Sequence, residues 1–179
     1  MFSGLSQIPW INFIGFQIFW WSCILFQNAS FGFCALLISL HFVFHNRPKK
    51  ELISVFLITL VGVLVDTVLT TLTVFQFQHP ITPWLPPLWL MMLWLGFATT
   101  VTTTSHMFVN KAKTAAIIGG VFAPLSYVAG YRFGVVEFPL GMWTTWLTLV
   151  VIWSLLLPTL ILAHNKMSNK VLGAHYASS

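Results

Sequence analysis

Charged side chains are scarce in this sequence. Eight Lys and Arg and three Asp and Glu make up 6% of the 179 residues. A soluble domain carries roughly 25% and uses them to keep its surface wet. This chain cannot cover a water-facing surface, so its solvent is lipid. Cysteine is scarce too. Cys23 and Cys34 fall inside apolar stretches, where they read as small buried hydrophobes. A similar depth on neighbouring helices would let them meet, but nothing in the sequence supports a disulfide. The motifs of soluble enzymes are also missing: there is no Gly-rich phosphate loop, G-x-S-x-G, H-E-x-x-H or C-x-x-C. Of the three carboxylates, Glu51 and Glu137 stand at span or loop edges, which disfavours paired-acid chemistry. The first residues carry no Lys or Arg and no A-x-A follows the first apolar run. That run is therefore expected to stay as a span rather than be cleaved as a signal.

What remains is 58% apolar and 16% aromatic, with nine Trp. Trp favours the headgroup zone, where one edge of the ring is apolar and the other wet. About 20 apolar residues cross a bilayer as a helix, and helices close their own backbone hydrogen bonds there. The apolar runs predict an all-α, polytopic helical bundle of six spans, at 8–27, 30–45, 51–75, 88–108, 114–131 and 142–164. Asn28 and Ala29 form a tight turn between the first two. The Pro-rich run 79–87 (HPITPWLPP) cannot be regular helix. The whole chain reads as one integral membrane domain, with 165–179 a short polar cytoplasmic tail.

The net charge of +5 sits in short gaps between spans, which is a topology signal and not a nucleic-acid face. With six spans, Arg47, Lys49, Lys50, Lys111, Lys113, Lys166 and Lys170 fall on one side and Arg132 on the other. That asymmetry places both termini in the cytoplasm. The first and fourth spans share a short echo, Pro9, Trp10, Gly15, Phe16 against Pro87, Trp89, Gly96, Phe97. It is too brief to establish an inverted repeat.

Asp66 is the sharpest signal, an acid near the middle of the third span. An acid there is costly, faces the bundle and finds a partner, and hydrocarbon favours its neutral form. Thr59, Gly62, Asp66, Thr70 and Thr73 form one small and polar stripe. Asp66 reads as a proton, cation or substrate site, or else as a packing residue bonded to a neighbour. From a rise of about 1.5 Å per residue, Trp94 and Tyr127 fall at its level, with Arg132 further out. Asp66, Thr70, Trp94, Tyr127 and Arg132 are thus the candidate substrate or proton site, with Asp66, Tyr127 and Arg132 expected to line one polar cavity open to the outer side.

The fourth span carries Met92, Gly96, Thr99, Thr103 and His106 as a second small and polar stripe. Its hydroxyls bond back to their own helix, or else line a path. The fifth carries Gly119, Gly120, Ala123 and Pro124, small residues that let backbones approach. His41 and His45 share a helix face, and His106 and His164 fall near the same side. Imidazoles at that spacing can hold a metal or haem, but histidines meeting headgroups are the preferred reading. No metal or other cofactor is expected; His41, His45 and His106 are weak candidates.

The runs Pro86-Pro87-Leu88-Trp89, Leu93-Trp94 and Phe97-Ala98-Thr99-Thr100 have a familiar pattern. With Gly62 and Asp66, and with Gly119-Gly120 before Pro124, Tyr127 and Gly130, the chain resembles a small bacterial inner-membrane family filed as domain of unknown function 2878. It departs from that pattern in the hydroxyls Thr102 to Thr104 and in the placing of His106. The resemblance implies a multi-pass protein of the bacterial cytoplasmic membrane and leans toward lipid-related work. The expected function is to bind or move a small or lipidic molecule through an intramembrane polar cavity. A lipid-modifying enzyme or its accessory subunit, and a structural scaffold, are the alternatives. The expected partners are the bilayer, a lipidic or small-molecule ligand, and packing helices or further copies of the chain, with no nucleic acid.

Overall fold

The computed structural model describes residues 8–46 and 48–176, with side chains described for 8–46 and 51–168. Arg47 and the side chains of Lys49, Lys50 and Lys170, which carry part of the charge asymmetry, lie outside that set.

Helix α1 (Pro9–Phe26) opens on a proline at its first position, where a missing N–H costs no helical hydrogen bond. A single 3-10 turn, Gln27–Ser30, follows, and Gln27 takes a positive φ of 46° that breaks the helix. Helix α2 (Phe31–Val43) then runs back along α1. The Sγ atoms of Cys23 and Cys34 lie 3.6 Å apart, whereas eleven residues of straight helix would separate them by roughly 16 Å. Helices α3 (Pro48–Thr71), α4 (Leu88–Thr104), α5 (Ala112–Arg132) and α6 (Met142–Tyr176) complete the bundle. Two short strands, β1 (Gln76–Phe77) and β2 (Val136–Glu137), pair antiparallel, Gln76 opposite Glu137. They tie the α3–α4 link to the α5–α6 link. At the same end, Thr145 Oγ1 donates to the Val74 carbonyl at 2.9 Å, and the Trp89 backbone N–H donates to Asn28 Oδ1 at 3.2 Å.

Among the described residues, four helical stretches are long and apolar enough to cross a membrane: Pro9–Val43, Glu51–Thr71, Ala112–Arg132 and Met142–Ser168. The first is folded in two at Gln27. Its second half, α2, has 13 residues and reaches only about 20 Å, short of a hydrocarbon core of roughly 30 Å.

Three predicted boundaries differ. Helix α3 stops at Thr71 rather than at 75, because Thr73 turns to a left-handed φ of 56°. This brings Phe75 into full burial. Helix α4 stops at Thr104 and tightens to a 3-10 turn through Phe108. Here Thr99 and Thr100 hydroxyls both donate to the Gly96 carbonyl, Thr104 to Thr100 and Ser105 to Thr102. Successive hydroxyls competing for helix carbonyls disturb regular winding. Helix α6 continues through the segment expected as a tail, as far as Tyr176. That stretch is rich in residues that tolerate helix and has no proline to stop it.

The small face of α5 packs against α6. A Cβ on Gly119 would meet the Trp153 carbonyl and Leu157, and one on Gly120 would meet Ser154. Only glycine lets these two backbones come so near. Apolar side chains such as Trp10, Phe56, Ile117, Phe122, Trp143 and Leu155 point outward around the bundle, as a lipid-facing surface requires.

The hairpin is tested by its cysteines. Mild oxidation of the purified full chain should join Cys23 to Cys34 within one chain, read by mass spectrometry as loss of two hydrogens. Cross-links between chains alone, or none, would show that α1 and α2 do not fold back on each other.

Candidate functional site

Asp66 lies on α3 with no exposure at all. One turn earlier, Gly62 leaves space on the helix surface, and a Cβ there would run into the Trp94 ring. The indole of Trp94, on α4, therefore lies flat against α3, and its Nε1–H donates to Asp66 Oδ2 at 2.6 Å. Tyr127, on α5, donates its hydroxyl to Asp66 Oδ1 at 2.7 Å. Trp94 also stacks on Trp153 of α6, centroids 5.3 Å apart and planes 4° from parallel. Tyr127 stacks on Phe75 at 5.2 Å. One carboxyl group thus links α3, α4 and α5, and through the Trp94–Trp153 stack α6 as well.

The other members of that predicted site are placed differently. Thr70 is buried one turn along α3, and its hydroxyl has no hydrogen-bond partner. Arg132 is exposed at the end of α5, and among the described residues Asp66 has no cationic partner. Both Asp66 oxygens are already taken by fixed donors. Chemically this is an anchor between helices, closed to water.

A second polar cluster forms at the other end of the bundle, where α2, α3, α4 and α6 meet. His41 is in the last turn of α2, and His45 follows just beyond it. Glu51, in the first turn of α3, is 7% exposed. His41 Nε2 is 3.6 Å from Glu51 Oε1, and His45 Nε2 is 3.4 Å from Oε2. Thr102, on α4, donates its hydroxyl to Glu51 Oε1. His164, on α6, has a buried Nδ1 without a hydrogen-bond partner and feels the charge of Glu51. One donor atom from each of His41, His45 and Glu51 lies within 4.8 Å of the others, so these three could hold a metal ion. His106 is exposed and takes no part in the group.

Glu51 stands at a span edge in the sequence, a place where a lone acid does not by itself point to a site. The signal that could have found it was a His-x-x-x-His pair closely followed by an acid at the mouth of an apolar helix.

A cavity of about 320 Å³ opens between α1, α2 and α4. Ile11, Phe16, Phe19, Leu37, Ile38 and Phe44 make most of its wall, and Asn12, His41 and Thr99 are its polar members. Asn12 is 8% exposed and its Oδ1 has no hydrogen-bond partner. His41 belongs to both the cavity and the second cluster.

A family model described as "Protein of unknown function (DUF2878)" matches residues 9–159. The chain belongs to that family. The DUF2878 match takes in Asp66, Trp94, Tyr127, His41, His45 and Glu51, and stops short of His164. No curated protein and no solved structure matches this DUF2878 chain.

The anchor predicts an unequal pair of Asp66 variants. In Asp66→Asn the amide oxygen still accepts from Trp94, and the amide nitrogen can donate to a Tyr127 hydroxyl that turns from donor to acceptor. Thermal unfolding in detergent should change by less than about 1 kcal/mol. Asp66→Leu strands the Trp94 N–H and the Tyr127 O–H together and should cost roughly 2–4 kcal/mol. A leucine variant as stable as the parent would contradict the anchor.

Proposed function

We propose that this DUF2878 protein binds a lipidic molecule within the membrane, its chain held in the α1–α2–α4 cavity and its polar end turned toward Asn12 and His41. The cavity carries this reading. Its size falls within the range of small-molecule sites, and its make-up follows their usual pattern of apolar walls with a few convergent polar groups. Asn12 Oδ1 is an acceptor, buried and unpartnered. A buried acceptor left unpaired costs about 1–3 kcal/mol, so a ligand hydroxyl or amide that donates to it is favoured. The wall faces a bilayer and not water, which selects amphiphiles over polar metabolites.

Six membrane passes with both ends in the cytoplasm are part of the same reading. Two observations support it. Residues 11–19 of α1 line the cavity together with residues 37–44 of α2, as antiparallel neighbours do. Lys111 and Lys113 stand at the start of α5 and Lys166 lies in the C-terminal part of α6, on the side of the His–Glu cluster, the charge bias expected of a cytoplasmic face. The short α2 then crosses with help from its flanking turn and from local thinning of the bilayer. A bacterial inner membrane is the proposed location, and the bilayer and its lipids are the proposed partners. A lipid-modifying role is the second reading, favoured by His41 standing in both the cavity and the His–Glu cluster.

Gly15 provides the test. It lines the cavity, and a Cβ there meets nothing within 4 Å, so a larger side chain fills the cavity without striking the core. Native mass spectrometry of the parent should show a retained lipid. Gly15→Phe should release it while remaining folded, with the parent's helical content by circular dichroism. Equal lipid retention in both proteins would overturn the assignment.

A further inference from the structure

The His–Glu cluster carries an inference separate from the lipid reading. We propose that His41, His45 and Glu51 bind one divalent first-row transition-metal ion.

Geometry makes the case. A hydrogen bond between imidazole and carboxylate brings N and O to about 2.7–3.2 Å. The two separations here are 3.6 and 3.4 Å, and His41 Nε2 makes no hydrogen bond although it is buried. The His41 side chain is 9% exposed, so water does little to make up the difference. Ligand atoms held at about 2.0–2.1 Å around a tetrahedral ion lie roughly 3.4 Å from one another. One donor atom from each of the three residues lies within 4.8 Å of the others, close enough for a modest closing movement to place all three around one ion.

The chemistry of the donors agrees. Two neutral imidazole nitrogens and one carboxylate suit Zn²⁺ and ferrous ions and leave a coordination position open. Calcium and magnesium, which prefer all-oxygen shells, do not match this set. A carboxylate buried among uncharged groups is costly, and a divalent ion beside it removes that cost. The Thr102 hydroxyl bonded to Glu51 Oε1 acts as the outer partner that orients a ligating carboxylate.

The chain order explains why the group assembles. His41 ends α2, His45 lies just past its C-terminal cap, and Glu51 opens α3. The short α2–α3 link therefore brings all three together, and α4 supplies the orienting hydroxyl. Divalent metal would consequently brace the α2–α3 corner and, through His41, one wall of the lipid cavity.

The test uses the tag-free full chain in detergent, stripped with a chelator and then dialysed against Zn²⁺ or Co²⁺. The parent should take up one ion per chain, show the visible bands of low-coordinate Co²⁺, and melt at a higher temperature with Zn²⁺ than without. His45→Ala and Glu51→Gln should each bind at least about tenfold more weakly, and Thr102→Val about 10–100-fold more weakly. His106→Ala should bind as the parent does. If the folded parent takes up no stoichiometric metal and its melting temperature ignores Zn²⁺, the site does not exist, whatever the variants do. Unchanged binding in both His45→Ala and Glu51→Gln would overturn it equally. Lipid retention is measured separately, so losing the metal site leaves the lipid reading untouched.

Discussion

A single acid sealed inside an apolar bundle sets the terms for the rest of this structure. Asp66 has no contact with solvent, and its two oxygens are held by an indole N–H and a phenol O–H from different helices. An acid in that position tolerates no movement of its donors, because each one lost leaves a polar group in hydrocarbon. The donors are fixed by packing. Trp94 is pressed against Gly62 on one face and stacked on Trp153 on the other. Tyr127 is stacked on Phe75, which the early end of α3 draws into the core. Close α5–α6 packing over Gly119 and Gly120 holds Tyr127 and Trp153 on neighbouring backbones. Between helices in lipid there is no hydrophobic drive to associate, so contacts of this kind define which arrangement is native.

With α3 to α6 fastened in this way, the α1–α2 hairpin borders open space. It packs on α4 and leaves the 320 Å³ cavity at its open end, away from the Gln27 turn. The polar groups that stabilise the fold sit at Asp66 and are fully paired. Among the described residues, unpaired buried atoms occur along the bundle, Thr70 Oγ1 and Trp89 Nε1 among them, and Asn12 Oδ1, His41 Nε2 and His164 Nδ1 are those near the cavity and the His–Glu cluster. Unpaired buried polar atoms are few in stable proteins, and Asn12 Oδ1 and His41 Nε2 both line the cavity.

Much of this was readable from residue order. Apolar run lengths located the helices, and Asn28 located the turn. The equal-depth argument brought Trp94 and Tyr127 to Asp66, since helices of known rise carry residues to levels that can be counted. Small residues on α5 announced a close neighbour. The failures have physical causes as well. Arg132 was assigned to the Asp66 cavity on the strength of its charge, but both carboxylate oxygens were already satisfied and a guanidinium is less costly at the exposed helix end. The end of α4 was misplaced because a run of hydroxyls can wind the last turn more tightly without any proline to mark it. Glu51 was missed because contacts across the α2–α3 corner depend on how two helices meet, which periodicity within either helix does not encode. His164 entered the cluster from the far end of the chain for the same reason.

The central claim is that Trp94 donates a water-inaccessible hydrogen bond to Asp66. Hydrogen–deuterium exchange at the indole N–H tests it most directly, followed by NMR on the protein in lipid nanodiscs, with the Trp94 signal assigned by its loss in Trp94→Phe. The account predicts a strongly deshielded signal whose proton persists in deuterated buffer long after free tryptophan has exchanged. A Trp94 indole that exchanges as quickly as free tryptophan would contradict it.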